Sequence, residues 1–553
     1  MKSLMSERIT MACEAEDMPV KKNCYLAFMK LFLSKLHWYC KSNTNVTGFI
    51  LSGEKFLREE ALSQYFSELT GLADFEERLK TANGQFSVVI DRGDEIWAAT
   101  DRTRNWPLFY TRIDGRYYLS DDCYKLAELR KENEFDAVSY NCFLTAGYTI
   151  NDRTLLKDIF QVEAGTITIL GKEATTRSYH DPIKGTAIIT DMENASGDLT
   201  GIMDTVFREY FTALKDKFIA IPLSGGYDSR LVALMASKYH PENILCYTYG
   251  RADNREVPLA MEVAKRLKIR WINIEYNKGL VRDYIRDEYF SNYYTWVSNL
   301  TGMFFLQEYF AVRYLKQKKL IPGNTVFISG YSGDFIAGSY LTPVMKRTMK
   351  QKEIARLICR EYFRLVDQDR LTRKGISDLI GERIPSGKSE AWKVIESWDL
   401  KERHAKFIVN SAKVFTFFGY DYAFPLWDNR LVDFMLPLPF DLRMDRRLYE
   451  HVLRDRIFRE NDLNLPGETN PTPAQKSFQR FKESIKHLLP SALRNLFIDP
   501  YNAIFYDEIT KILREDMDKD PVIPPRQSNY YNSYIIQWYL SKKAEQFSLD
   551  AIK

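Results

Sequence analysis

Leu223-Ser224-Gly225-Gly226-Tyr227-Asp228-Ser229 is the stretch on which the fold turns. An apolar run from Phe218 to Leu223 leads into it and reads as a buried strand. A helix is expected from Asp228 to Lys238. Ile244 to Tyr249 reads as a second strand, Glu256 to Leu267 as a helix and Trp271 to Ile274 as a third strand. Strand–helix alternation of this kind predicts a parallel sheet with helical crossovers. Thr325 to Ile328 is a further short buried strand, and residues 276–319 and 345–490 read as mostly helical.

The glycine turn itself carries chemistry. Two glycines let backbone N–H groups approach an anion closely, and the following helix adds its positive N-terminal end. Ser224 and Ser229 offer hydroxyl donors. Asp228 puts a carboxylate where a phosphate would sit, which requires a cation such as Mg²⁺ between them. The spacing differs from GxxxxGK[ST], so γ-phosphate transfer is disfavoured. A serine-capped turn without a ligand is the plainer alternative. The complete S-G-G-x-D-S after a buried strand argues against it and resembles the signature of N-type ATP pyrophosphatases. A second segment, Phe327-Ile328-Ser329-Gly330-Tyr331-Ser332-Gly333-Asp334, repeats the arrangement of strand, glycine turn and carboxylate. Two carboxylates at adjacent strand ends could share magnesium and pyrophosphate.

In this order the motifs resemble the asparagine synthetase family of ATP-dependent ligases, over roughly residues 45–485. Ser224–Ser229 matches its SGGxDS loop and Ser329–Phe335 its SGEGxDE-type loop. Gly419–Asp428 matches its G-x-E-x-R-x-P-F-L-D stretch, and Lys476 the lysine of an R-x-K-x-x-F context. The resemblance implies that a carboxylate is adenylated by ATP with loss of pyrophosphate, and that an amine then takes the acyl group. It implies Ser224, Gly225, Gly226 and Ser229 as pyrophosphate contacts, and Leu223, Tyr249, Ser329 and Gly330 around the adenosine. Asp228 and Asp334 become Mg²⁺ ligands, and Lys476 reaches the phosphates. Tyr331 stands where asparagine-forming members carry glutamate and where β-lactam- and carbapenam-forming relatives carry tyrosine. There it deprotonates the attacking nitrogen with help from a glutamate, a part assigned to Glu402 here, with a plain surface glutamate as the alternative. His404 is either a substrate contact or a structural histidine. Glu450 replaces a lysine usual in K-x-x-L-R, and Ala423 an arginine. A changed substrate pocket is therefore expected, with Lys476 or Lys413 as compensating charge, or else a loss of catalysis.

The first half is strand-like: Phe86 to Ile90, Ile96 to Ala99 and Tyr117 to Leu119 are short β-type runs. Asn83-Gly84-Gln85-Phe86 and Asp101-Arg102, followed by Pro107-Leu108-Phe109-Tyr110, resemble the family's glutaminase-type domain. The resemblance implies an Ntn-like antiparallel β-sandwich over residues 45–190. Thr47 stands where a working member exposes its N-terminal cysteine, forty-six residues precede it, and the glutamine-holding stretch is missing. The domain is read as degenerate, so nitrogen arrives as ammonia or as an amine. Residues 180–197 read as charged loops, with the main boundary near 190–200. Residues 1–44 lack a strong pattern and are read as a helical extension, with a true start further in as the alternative. The synthetase part covers 200–500, and 501–553 is a Pro-rich linker with a helix from Asn529 to Ala544. The expected fold is thus a β-rich sandwich followed by a parallel-sheet α/β domain with a helical C-terminal half.

Composition bounds the rest. The chain has 553 residues, enough for several domains, and its hydrophobic fraction of 45% is globular. A net charge of +4 gives no reason to expect a nucleic acid or membrane partner. Seven scattered cysteines without CxxC, and no long apolar span, fit a cytoplasmic protein. The expected partners are ATP, Mg²⁺, a small carboxylate and ammonia or an amine, and a homodimer stays open. Four readings compete: an AMP-forming amide ligase, ammonia-dependent asparagine synthesis, a β-lactam-type or peptide-cyclising synthetase, and an ATP-binding scaffold without turnover.

Overall fold

A computed structural model describes residues 29–182, 189, 191–240, 242–465, 504–521 and 530–549. The second half is built on a five-stranded sheet, all parallel, in the order Trp271–Glu275, Ile244–Gly250, Phe218–Pro222, Thr325–Ile328, Asp421–Ala423. Phe218–Pro222 is central because its run of Ile219, Ala220 and Ile221 is apolar on both faces and fully buried. The chain first builds outward on one side of this strand and then returns to its other side at Thr325–Ile328. That reversal opens a crevice at the carboxyl ends of the two strands. Leu223–Asp228 and Ser329–Asp334 leave the sheet at those two ends. Helices Tyr227–Tyr239 and Glu256–Leu267 cover the sheet as predicted, the first burying Leu231, Val232, Ala233 and Ala236.

Two sheets occupy the first half. The larger runs Ala174–Ser178, Thr166–Leu170, Ile96–Thr100, Gly84–Asp91, Thr44–Ser52, Tyr39–Lys41, with Lys55–Leu57 hairpinned onto Thr44–Ser52. The smaller runs Met29–Phe32, Arg116–Ser120, Phe109–Ile113, Ile159–Gln161. Val89, Ala98 and Leu170 of one sheet share a buried core with Tyr110 and Leu119 of the other. Neighbours are antiparallel except at one edge, where Met29–Phe32 runs parallel to Arg116–Ser120.

Two sequence expectations need correction. Residues 29–44, taken as part of a helical extension, contain strands Met29–Phe32 and Tyr39–Lys41. Their place is fixed from afar: Asp121 accepts the backbone N–H groups of Ser34, Lys35 and Leu36 at 2.7–3.1 Å. Asn194–Gly197, expected as loop, lies in helix Met192–Ala213. Asp191 caps that helix by accepting from Asn194 N, and the buried face of Leu199, Met203, Val206, Phe207 and Phe211 outweighs the weak propensity of its first turns.

The C-terminal helix, Tyr530–Phe547, packs on its own chain. Tyr539 stacks on Phe143 at 5.3 Å and accepts a hydrogen bond from Ser298 Oγ at 2.6 Å, so this helix touches both halves. Among the described residues no helix is long and apolar enough to cross a membrane.

Candidate active site

The first loop is held by its own hydroxyls. Ser229 Oγ accepts from Ser224 N at 3.1 Å and lies 2.9 Å from Ser224 Oγ, which in turn accepts from Gly226 N at 3.2 Å. Gly226 caps the following helix without a side-chain bond, and the positive N-terminus of that helix suits an anion. Leu223 anchors the loop to the sheet, its N–H donating to Tyr247 O at 2.8 Å. Tyr249, on the neighbouring strand, stacks on Tyr276 at 5.6 Å. The second loop lies directly against the first. A Cβ on Gly333 would lie 2.5 Å from Asp228 Cγ, and one on Gly330 2.8 Å from Asp228 Cβ. Only glycine allows this approach. Ser329 is buried beside them.

Asp228 and Asp334 meet at one guanidinium. Arg446 Nη1 lies 2.9 Å from Asp334 Oδ1, Nη2 lies 3.7 Å from Asp228 Oδ1, and Nε lies 3.5 Å from Glu450 Oε1. Burial pushes the Asp228 carboxyl up to about 6; Arg446 and the Tyr449 hydroxyl pull it down, while Asp334 and Glu450 push it further up. Asp228 Oδ1 is buried and has no hydrogen-bond partner of normal geometry. An under-compensated carboxylate oxygen facing a second carboxylate suits a hard cation. Among the described residues no cluster of three or more His, Cys, Asp or Glu could hold a metal. Magnesium commonly uses only one or two carboxylates and takes its other ligands from phosphate and water, so this pair fits it.

Beside the carboxylates lies a cavity of about 210 Å³, lined by Tyr331, Ser332, His404 and Ser411 among others. The carboxylate that acts most strongly on Tyr331 is Glu308, in the first turn of helix Gln307–Gln317; the buried Tyr331 hydroxyl itself has no hydrogen-bond partner of normal geometry. Burial raises the Glu308 pKa, and the Tyr331 and Tyr249 hydroxyls draw it back. Burial, then the Glu308 charge, lifts Tyr331 well above its ordinary range. Glu402, assigned to this part from sequence, points elsewhere. It accepts from Lys406 Nζ at 2.6 Å and from Asn151 N at 3.0 Å, in a buried structural pair. His404, two residues on, lines the cavity instead. His404 Nε2 lies 3.1 Å from Ser332 Oγ and its ring stacks on Trp427 at 5.0 Å.

Lys476 lies outside the described residues. Lys413 does not serve the loop: its Nζ bonds the Tyr422 hydroxyl at 2.9 Å and faces Trp106, in the seam between the two halves. Ala423 is buried in the edge strand of the parallel sheet. Two residues at the site were missed from sequence. Glu308 could have been noticed as an acidic residue amid the aromatic run Phe304 to Phe310. Arg446 could have been noticed as the opposite charge one helical turn before Glu450.

A family model described as asparagine synthase matches residues 213–495, just over half of the chain. A curated relative, a probable glutamine-hydrolysing asparagine synthetase of Acanthamoeba polyphaga mimivirus, is 23% identical over 370 residues, 63% of this chain and 62% of the relative. The chain therefore spans less than two thirds of that relative's length. Similar solved structures include the NH3-dependent NAD synthetase of Campylobacter jejuni, with TM-score 0.19 and 15% identity over 28% of this chain and 62% of that one. The NMN synthetase of Francisella tularensis has TM-score 0.19 and 12% identity over 51% of this chain and 100% of that one. Scores this low add nothing to the fold described above.

Proposed function

This chain belongs to the asparagine synthase family, and from that premise we propose that it is an AMP- and pyrophosphate-forming amide ligase. A substrate carboxylate attacks the α-phosphorus of ATP, pyrophosphate leaves, and ammonia or an amine then attacks the acyl-adenylate to give an amide and AMP. The observation that carries this reading is the convergence of Asp228 and Asp334, from two adjoining glycine turns, at the crevice of the parallel sheet. Ser224, Gly225, Gly226 and Ser229 bind the pyrophosphate, whose growing negative charge is met by loop N–H groups and the helix N-terminus. Leu223, Tyr249, Ser329 and Gly330 face the adenosine, and Lys476 adds a cation to the phosphates. Asp228 and Asp334 would hold a Mg²⁺ ion, which would neutralise and orient the leaving group.

Tyr331 takes a proton from the attacking nitrogen, and the buried Glu308 accepts the phenolic proton in turn. A tyrosine so backed favours a β-lactam-type or peptide-cyclising synthetase as the second reading, ahead of ammonia-dependent asparagine formation. Residues 45–190 are read as an Ntn-like domain without glutamine hydrolysis. Thr47 lies within strand Thr44–Ser52 and donates its hydroxyl to His37 O at 2.7 Å, which supports that reading. Residues 200–500 form the synthetase, working in the cytoplasm on small molecules rather than on nucleic acid or membrane.

The test is pyrophosphate release from MgATP with ammonia or amines and a panel of carboxylic acids, run beside Asp228→Ala. Release that depends on one acid and vanishes in the variant is expected. ATP binding without release for every acid would favour the scaffold reading instead.

A further inference from the structure

Arg446 is built into the site at a conformational cost. It and Asp445 have φ of +60° and +57°, so two successive non-glycine residues sit in the left-handed region. Such strain persists where the surroundings enforce it and collects at ligand sites. Here it turns one guanidinium onto Asp228, Asp334 and Glu450 together. Three carboxylates around one cation leave the cluster net negative, beside the N-terminus of helix Tyr227–Tyr239, whose positive end suits an anion. Arg446 Nε and Nη2 are buried and hydrogen-bonded to nothing, although carboxylates stand 3.5–3.7 Å away. The guanidinium is thus attracted to the cluster yet only partly satisfied by it, with two donors in reserve.

We propose that Arg446 is a diphosphate-binding residue of this site, and that the same guanidinium competes with a divalent metal for Asp228 and Asp334. In the protein without nucleotide it spans the two carboxylates. When metal and diphosphate enter together, the carboxylates go to the metal and the planar fork of the guanidinium goes to phosphate oxygens, which it matches in geometry. The inference rests on reading Asp228 and Asp334 as metal carboxylates.

Because it predicts opposite changes in two affinities, no turnover is needed to test it. The full chain, Arg446→Gly, Arg446→Lys and Asp228→Asn are titrated with Mn²⁺ alone, followed by electron paramagnetic resonance, and with magnesium pyrophosphate, followed by calorimetry. Glycine is chosen because φ of +60° suits it, so the backbone turn survives the loss of the side chain. Arg446→Gly should bind Mn²⁺ roughly ten-fold tighter and magnesium pyrophosphate roughly ten-fold weaker, with Arg446→Lys between the two. If either affinity stays put, or both move in the same direction, the proposal is overturned and Arg446 is a structural cap. Unchanged binding of both ligands by Asp228→Asn, or none by the parent chain, would bring down the assignment of the site itself.

Discussion

Asp228 is held where an ionised carboxylate is least comfortable, buried between Asp334, Glu450 and the Tyr449 hydroxyl, with one guanidinium in partial relief. Asp228→Asn should lower pyrophosphate release by about 10²-fold or more while leaving the melting temperature at pH 8 no lower than that of the parent. A large loss of stability alongside the activity would instead mean that the residue mainly supports the fold. Tyr331 and Glu308 form the second pair at this scale. Tyr331→Phe and Glu308→Gln should each cut turnover about 10²-fold or more, with the double variant little worse than either single one, because both serve one proton transfer. Glu402→Gln makes the contrast. It strands the buried Lys406 ammonium, which typically costs about 3–5 kcal/mol, and should lower the unfolding midpoint while turnover per folded molecule stays near the parent value.

Among the elements, the two strand-to-helix loops decide the site, and their glycines set how closely they can approach. Gly333→Ala would push a methyl group to within 2.5 Å of Asp228 Cγ. Overpacking of this kind costs about 1–3 kcal/mol, so both denaturant stability and ATP affinity should fall. An ATP titration unchanged in Gly333→Ala would mean that the second loop does not fix the position of Asp228. The helix Gln307–Gln317 contributes in another way. Its Phe310, Val312 and Leu315 are buried in the core, and that packing brings Glu308 up behind Tyr331.

At the scale of the molecule, the halves are stitched together by polar contacts. Asn83 Nδ2 donates to Asp428 Oδ2 at 2.7 Å, and Asn429 N donates to Asn83 Oδ1 at 2.9 Å. The Gly419–Asp428 motif therefore ends in an interdomain clasp at Asp428. Lys413 is sealed in the same seam, and burial lowers its pKa to about 7. The unfolded chain holds that proton up to the ordinary lysine range, so between about pH 7 and 10 the unfolded state binds more protons and stability rises with pH. From pH 7 to 9 the group should contribute a gain of about 2 kcal/mol, and Lys413→Met should abolish that gain in paired urea titrations. An equal gain in parent and variant would show that other groups are responsible.

The sequence by itself determined the parallel sheet, the glycine turn and the carboxylates Asp228 and Asp334. Strand–helix alternation and S-G-G-x-D-S are local patterns, legible within a dozen residues. It misread residues 29–44 and 194–197 because both owe their structure to distant partners: Asp121 for the first, and the buried core against helix Met192–Ala213 for the second. Partnerships among charges were equally out of reach. Glu402 and Glu308 are both acidic residues on helical segments, and although an aromatic run surrounds Glu308, the sequence does not say what either one contacts. Only packing decides that Lys406 and Asn151 engage the first while the second turns to Tyr331. Arg446 lies 218 residues from Asp228 in sequence (446 minus 228), and their meeting depends on where the helix beginning at Arg447 docks. Local chemistry fixes which groups are available; their pairing is a property of the folded chain, because charge interactions depend on distance and burial, and sequence spacing encodes neither.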